Sequence, residues 1–65
     1  MSKIRVEFFA YLEGGSLDHV SETAEFEFET VPNVEEMSDR ADEYANRMEE
    51  LHGGHAISYG YDFIL

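Results

Sequence analysis

The chain is predicted to be a small α+β domain, ordered β-β-α-β. Its three-stranded antiparallel sheet has the order 2-1-3, and one helix packs on one face. Three observations predict this. Residues 3–12 and 19–31 alternate apolar and polar side chains, which is the period of a strand. After Pro32 the apolar residues recur every three or four positions, which is the period of a helix. After Gly53-Gly54 the alternation returns and runs to the end of the chain.

In the first strand Ile4, Val6, Phe8, Ala10 and Leu12 share one face, and Lys3, Arg5, Glu7, Phe9 and Tyr11 share the other. Glu13-Gly14-Gly15-Ser16 is a turn signal that starts a hairpin loop of about five or six residues. In the second strand Val20, Ala24, Phe26 and Phe28 point inward, with Glu22 an awkward member of that face. Ser21, Thr23, Glu25, Glu27 and Glu29 point outward.

Asn33 is a good N-cap, Glu36 stands three residues later, and Glu35 and Glu36 suit the positive end of the helix dipole. The helix is expected over residues 33–52, burying a stripe of Val34, Met37, Ala41, Tyr44, Ala45, Met48 and Leu51. Gly53-Gly54 stops it. The last strand, residues 55–65, turns Ile57, Tyr59, Tyr61, Phe63 and Leu65 inward and Ala56, Ser58, Gly60, Asp62 and Ile64 outward. With strand 1 up, strand 2 down, the helix up and strand 3 down, strand 3 pairs most simply with strand 1. Strand 2 is then an exposed edge.

The 65 residues make one domain, 1–65, near the lower size limit for folding alone. Apolar residues make up 43%, too much hydrophobic material for a disordered acidic tail. The absence of Cys excludes disulfides and thiolate metal sites. No apolar run is long enough to span a membrane, and Glu7 and Glu13 interrupt any leader-like segment, so a cytoplasmic location is expected.

Charge is the dominant compositional feature. Fifteen Asp and Glu face four Lys and Arg, for a formal net charge of -11. Such a surface repels nucleic acid and attracts basic proteins, so direct nucleic-acid binding is not expected. The acids fall on two lines. Glu25, Glu27 and Glu29 repeat along one strand face, where same-face neighbours lie roughly 6.5–7 Å apart. This is close to the phosphate spacing along a nucleic-acid strand, whose axial rise is about 3.4 Å per nucleotide. An acidic edge also blocks edge-to-edge aggregation, which is the alternative reason for the same residues. On the helix Glu35, Asp39, Asp42, Asn46 and Glu49 form a stripe with no base, roughly opposite the core. A second stripe, Glu36, Arg40, Glu43, Arg47 and Glu50, is arranged for i,i+4 ion pairs. Phe9 and Tyr11 add aromatic contact near the strand acids, either as partner anchors or as cross-strand packing.

Catalysis has little support, because no paired carboxylates, nucleophile arrangement or phosphate loop is legible. No catalytic residue, metal ligand or cofactor is assigned. His52-Gly53-Gly54-His55 lacks the fixed spacing of a zinc motif, and a His near a helix C-terminus is explained by the dipole.

Small size, strong acidity, no Cys and acids projecting from a sheet-plus-helix core together resemble the DNA-mimicking anti-CRISPR proteins of phages, and among them inhibitors of type I systems, subtype I-C included. The resemblance covers the whole chain and rests on composition and layout, without a shared motif. It implies a stoichiometric inhibitor, not an enzyme, that sits as a monomer or weak dimer on the DNA- or PAM-recognition surface of a Cascade complex in the host cytoplasm. The residues expected at the contact are Glu25, Glu27, Glu29, Glu35, Asp39, Asp42, Glu49, Phe9 and Tyr11. Three alternatives fit the same composition: a mimic aimed at a restriction enzyme or uracil-DNA glycosylase, an acidic domain from a halophile, and an adaptor for a basic protein.

Overall fold

A computed structural model describes residues 3–64. The chain runs β1 (Lys3–Glu13), β2 (His19–Glu27), a 3-10 turn (Phe28–Thr30), α1 (Val34–His52) and β3 (His55–Ile64). The sheet is antiparallel with order β2-β1-β3, so the most apolar strand is central, as expected. Leu65, expected on the inner face of the last strand, lies outside the described residues, as do Met1 and Ser2.

The core is the inner face of β1 against the apolar stripe of α1. Val6, Phe8, Ala10 and Leu12 are buried with Val20, Met37, Ala41, Tyr44, Ala45 and Met48. Fully burying a side chain such as Leu12 or Met37 stabilises the fold by about 1.5–3 kcal/mol. Val34 and Leu51, expected at the two ends of the stripe, are exposed, because the helix overhangs the core at both ends.

Local signals set the boundaries. The Asn33 side chain accepts a hydrogen bond from the Glu36 backbone N–H at 2.8 Å, which satisfies one of the free donors of the first helical turn. At the other end Gly53 takes a φ of 76° and donates its N–H to the Glu49 carbonyl. Gly54, at φ 80°, packs against the β1–β2 loop so closely that an added Cβ would lie 2.5 Å from the Gly15 nitrogen and 2.7 Å from the Glu13 oxygen. The Ser16 N–H donates to the His52 carbonyl at 2.8 Å. The two glycine pairs therefore lock two loops together as well as turning the chain.

Four sequence expectations on β2 and β3 need correction. Strand 2 stops at Glu27 instead of continuing to residue 31, because residues 28–33 carry the chain from the sheet edge to the start of the helix. The Thr30 hydroxyl donates to the Glu27 carbonyl at 3.2 Å in that turn. Phe28, expected inside, is consequently 61% exposed. In β3 a bulge intervenes: Leu12 pairs with Ala56 and Tyr11 with Ser58, so Ile57 has no opposite residue. Ala56, expected outward, packs on the core, and Ile57, expected inward, is exposed. Tyr59 and Phe63 stay on the helix side of β3 but remain 44% and 48% exposed, because β3 is an edge strand with no neighbour among the described residues on its outer side.

Candidate functional site

The helix backbone lies over β1 and β3 rather than over β2. That offset decides what each polar stripe of α1 meets. The stripe with Arg40 and Arg47 looks toward β2. Arg47 reaches Glu22 on β2 at 3.0 Å, and its guanidinium stands over the Tyr44 ring at 5.6 Å. Arg40 stands over the Phe26 ring at 5.5 Å. The expected helical ion pairs Glu36–Arg40 and Glu43–Arg47 do not form among the described residues, since both bases are drawn across the gap to β2. Glu22 thereby receives its explanation: it sits on the inner side of an edge strand that the helix leaves uncovered. Burial pushes the Tyr44 hydroxyl above its ordinary value, and the charge of Glu22 adds to the shift.

The other stripe looks toward β3. Asp42 accepts a hydrogen bond from the Tyr59 hydroxyl at 2.8 Å. Glu49 accepts one from the Ala56 backbone N–H at 2.6 Å and lies 3.3 Å from His55 Nδ1. Helical periodicity puts Glu35 and Asp39 on the same flank, and both are exposed. No Lys or Arg shares this flank. Successive acids four residues apart on a helix are separated by about 6 Å along its axis.

The strand line is weaker than the sequence suggests. Glu25 and Glu27 lie on the open face of β2, but register sets them directly opposite Arg5 and Lys3. These bases offset the strand charge across the ladder. Glu29 is not on the strand at all, because it falls in the 3-10 turn. A three-residue ladder is thus reduced to two acids beside two bases. The two lines also occupy opposite faces and opposite edges of the sheet, so one flat target surface meets only one of them.

Phe9 is half-buried, with its ring laid over Gly60 on the neighbouring strand; a Cβ at Gly60 would lie 3.2 Å from Phe9 Cζ. Tyr11 is 46% exposed and packs against His19 with ring centroids 4.7 Å apart. Both residues therefore serve cross-strand packing first, and Tyr11 keeps an exposed edge. Opposite Glu7 stands Asp62, a like-charged pair on the same open face.

Between α1 and β2 the offset leaves two shallow grooves of about 400 and 200 Å³. The larger is lined by Leu17, Val20, Glu22, Tyr44, Met48 and His52 among others. Among the described residues no three His, Asp or Glu side chains converge on a point where a metal would sit. No helix among them is long and apolar enough to cross a membrane.

The residues that sequence reasoning missed are those of β3. Tyr59 and Phe63 are exposed beside the acid flank of the helix, and Ile64 is exposed on the open face of the same strand. Their only sequence signal was the excess of large apolar residues on a strand that one helix has to share with two others. Comparison with protein-family models, with curated proteins and with solved structures finds no match for this chain.

Proposed function

We propose that this protein is a stoichiometric inhibitor that presents carboxylates in place of DNA phosphates to a basic DNA-binding surface. The observation that carries the reading is the base-free flank of α1. Glu35, Asp39 and Asp42 stand there on a helix anchored by buried Met37, Ala41 and Tyr44, with both helical arginines turned to the opposite flank. A rigid backing matters, because a backbone already fixed by packing costs no further ordering entropy on binding. A net charge of -11 on 65 residues also speeds encounter with a basic groove and favours that class of partner.

By size, charge and layout, the partner proposed is the DNA- or PAM-recognition surface of a type I Cascade complex, of subtype I-C among others, inside a bacterial cell. The protein acts there as an anti-CRISPR inhibitor without catalysis or cofactor. A restriction enzyme or a DNA glycosylase presents the same chemistry to it. The test is order of addition. The protein is mixed with the surveillance complex before or after a fluorescent target duplex, and duplex binding is read by anisotropy. Added first, it is expected to block duplex binding; added second, to leave the locked complex intact. Simultaneous binding of protein and duplex would overturn the reading.

A further inference from the structure

The two edges of the sheet are built differently. β2 carries Glu22, Glu25 and Glu27, and it ends in a 3-10 turn. Charges and broken geometry are how edge strands avoid pairing with other chains. Over Ser58–Ile64 β3 pairs without a break and is nearly uncharged. Its one charge there is Asp62, and Tyr59, Phe63 and Ile64 are 44%, 48% and 41% exposed. One side of β3 pairs with β1, and no other strand among the described residues pairs with its outer side.

We infer that the outer edge of β3, over Ser58–Ile64, takes up an extended basic segment of the partner as a fourth strand. Main-chain hydrogen bonds give such strand addition its affinity, and alternate side chains give it specificity. On the helix side the added strand would run beside Tyr59 and Phe63, beneath the flank that bears Glu35, Asp39 and Asp42. Lys or Arg fits there, with its aliphatic stem against the two rings and its charged head toward the acids. On the open side β3 presents Ser58, Gly60, Asp62 and Ile64, with the Phe9 ring over Gly60; Gly60 and Ile64 suit a β-branched apolar residue, and Asp62 between them adds to the negative charge that favours a basic segment. The occupant is thus an alternating basic and apolar strand.

A second copy of the chain fits worse. Antiparallel pairing of β3 with its own copy would bring two helices onto one face, with their base-free flanks turned toward each other. Like charges juxtaposed in this way oppose association. The same flank attracts a basic strand, and charge therefore decides between the two occupants.

The inference rests on the inhibitor reading only for the identity of the partner, and its test needs no CRISPR complex. The probe is a synthetic peptide of alternating Lys and Val, compared with a peptide of equal charge interrupted by Pro. Proline removes the backbone donors while leaving the charge. Binding is followed by NMR, with amide hydrogen exchange recorded along β3. The alternating peptide is expected to slow exchange within Ser58–Ile64 and to bind about tenfold more tightly than the interrupted one, a ratio worth one or two net hydrogen bonds. The exposed Phe63→Lys substitution is expected to abolish the difference. Equal affinity of the two peptides, or perturbation confined to α1, would overturn the inference. So would β3 protection that appears with protein concentration alone, since this would assign the edge to a second copy. Should the peptide bind as expected while duplex competition fails, the inhibitor reading falls and the edge assignment stands.

Discussion

Replacing Glu49 by Ala separates the acids that hold the fold from those that face a partner. The Glu49 carboxylate accepts the Ala56 N–H at 2.6 Å, at the point where β3 leaves the helix and enters its bulge. Its side chain is 27% exposed, so water only partly replaces it. A hydrogen bond to a charged acceptor contributes about 1.5–3 kcal/mol. The better helix propensity of Ala returns a few tenths of that. A net loss of about 2 kcal/mol is expected, against a total of about 3–10 kcal/mol for a domain of this size. Thermal unfolding followed by circular dichroism should show a fall of roughly 8–16 °C in Tm. Glu49→Gln keeps an oxygen in place and should lose about half as much. Glu50→Ala, one residue along and exposed, is the control and should stay within about 0.5 kcal/mol of the parent. If Glu49→Ala costs no more than Glu50→Ala, the account of how β3 is anchored is wrong.

Two further outcomes follow from the same geometry. Gly54→Ala places a Cβ 2.5 Å from the Gly15 nitrogen at a positive φ, so a destabilisation of at least about 2 kcal/mol is expected in denaturant titration; a neutral result would mean the two loops are not locked together. Tyr59 donates to Asp42, and both that bond and the Asp42 charge favour the neutral phenol, so Tyr59 ionises above its ordinary value of 10.0. A folded pKa raised above the unfolded one contributes stability below pH 10 that is lost as pH rises through the folded pKa. Phenolate absorbance against pH should therefore show one tyrosine titrating earlier in Asp42→Asn than in the parent, and identical curves would contradict the assigned hydrogen bond.

The β-β-α-β order was legible because the apolar period switches at Pro32 and again at Gly54, and the Asn33 cap because its residue type has few other uses at that place. The 2-1-3 order followed from strand direction alone. What was not legible depends on lateral placement. Nothing local tells that α1 sits nearer β3 than β2, yet this offset sends Arg47 to Glu22 and turns Asp42 and Glu49 toward β3. Nor does alternation tell where a strand stops: Glu25, Glu27 and Glu29 look like one ladder until pairing ends at Glu27. Cross-strand register is equally hidden, and it places Arg5 and Lys3 beside the two remaining strand acids. The bulge at Ile57 inverted two assignments on β3, since one extra residue exchanges the faces on its far side.

The most direct measurement compares the two acid lines in competition. Asp39→Lys with Asp42→Lys reverses the base-free flank of α1, and Glu25→Lys with Glu27→Lys reverses the line beside Arg5 and Lys3. Each double variant, shown to keep its helical circular dichroism, is titrated into a type I surveillance complex before a labelled target duplex is added, first in low salt and then at physiological ionic strength, where screening acts over about 8 Å. The helix variant is expected to need at least about tenfold more protein to exclude duplex, and the parent to lose potency as salt rises. The strand variant is expected to change little. Undiminished exclusion by the helix variant, at both salt concentrations, would contradict the claim that this flank stands in for DNA.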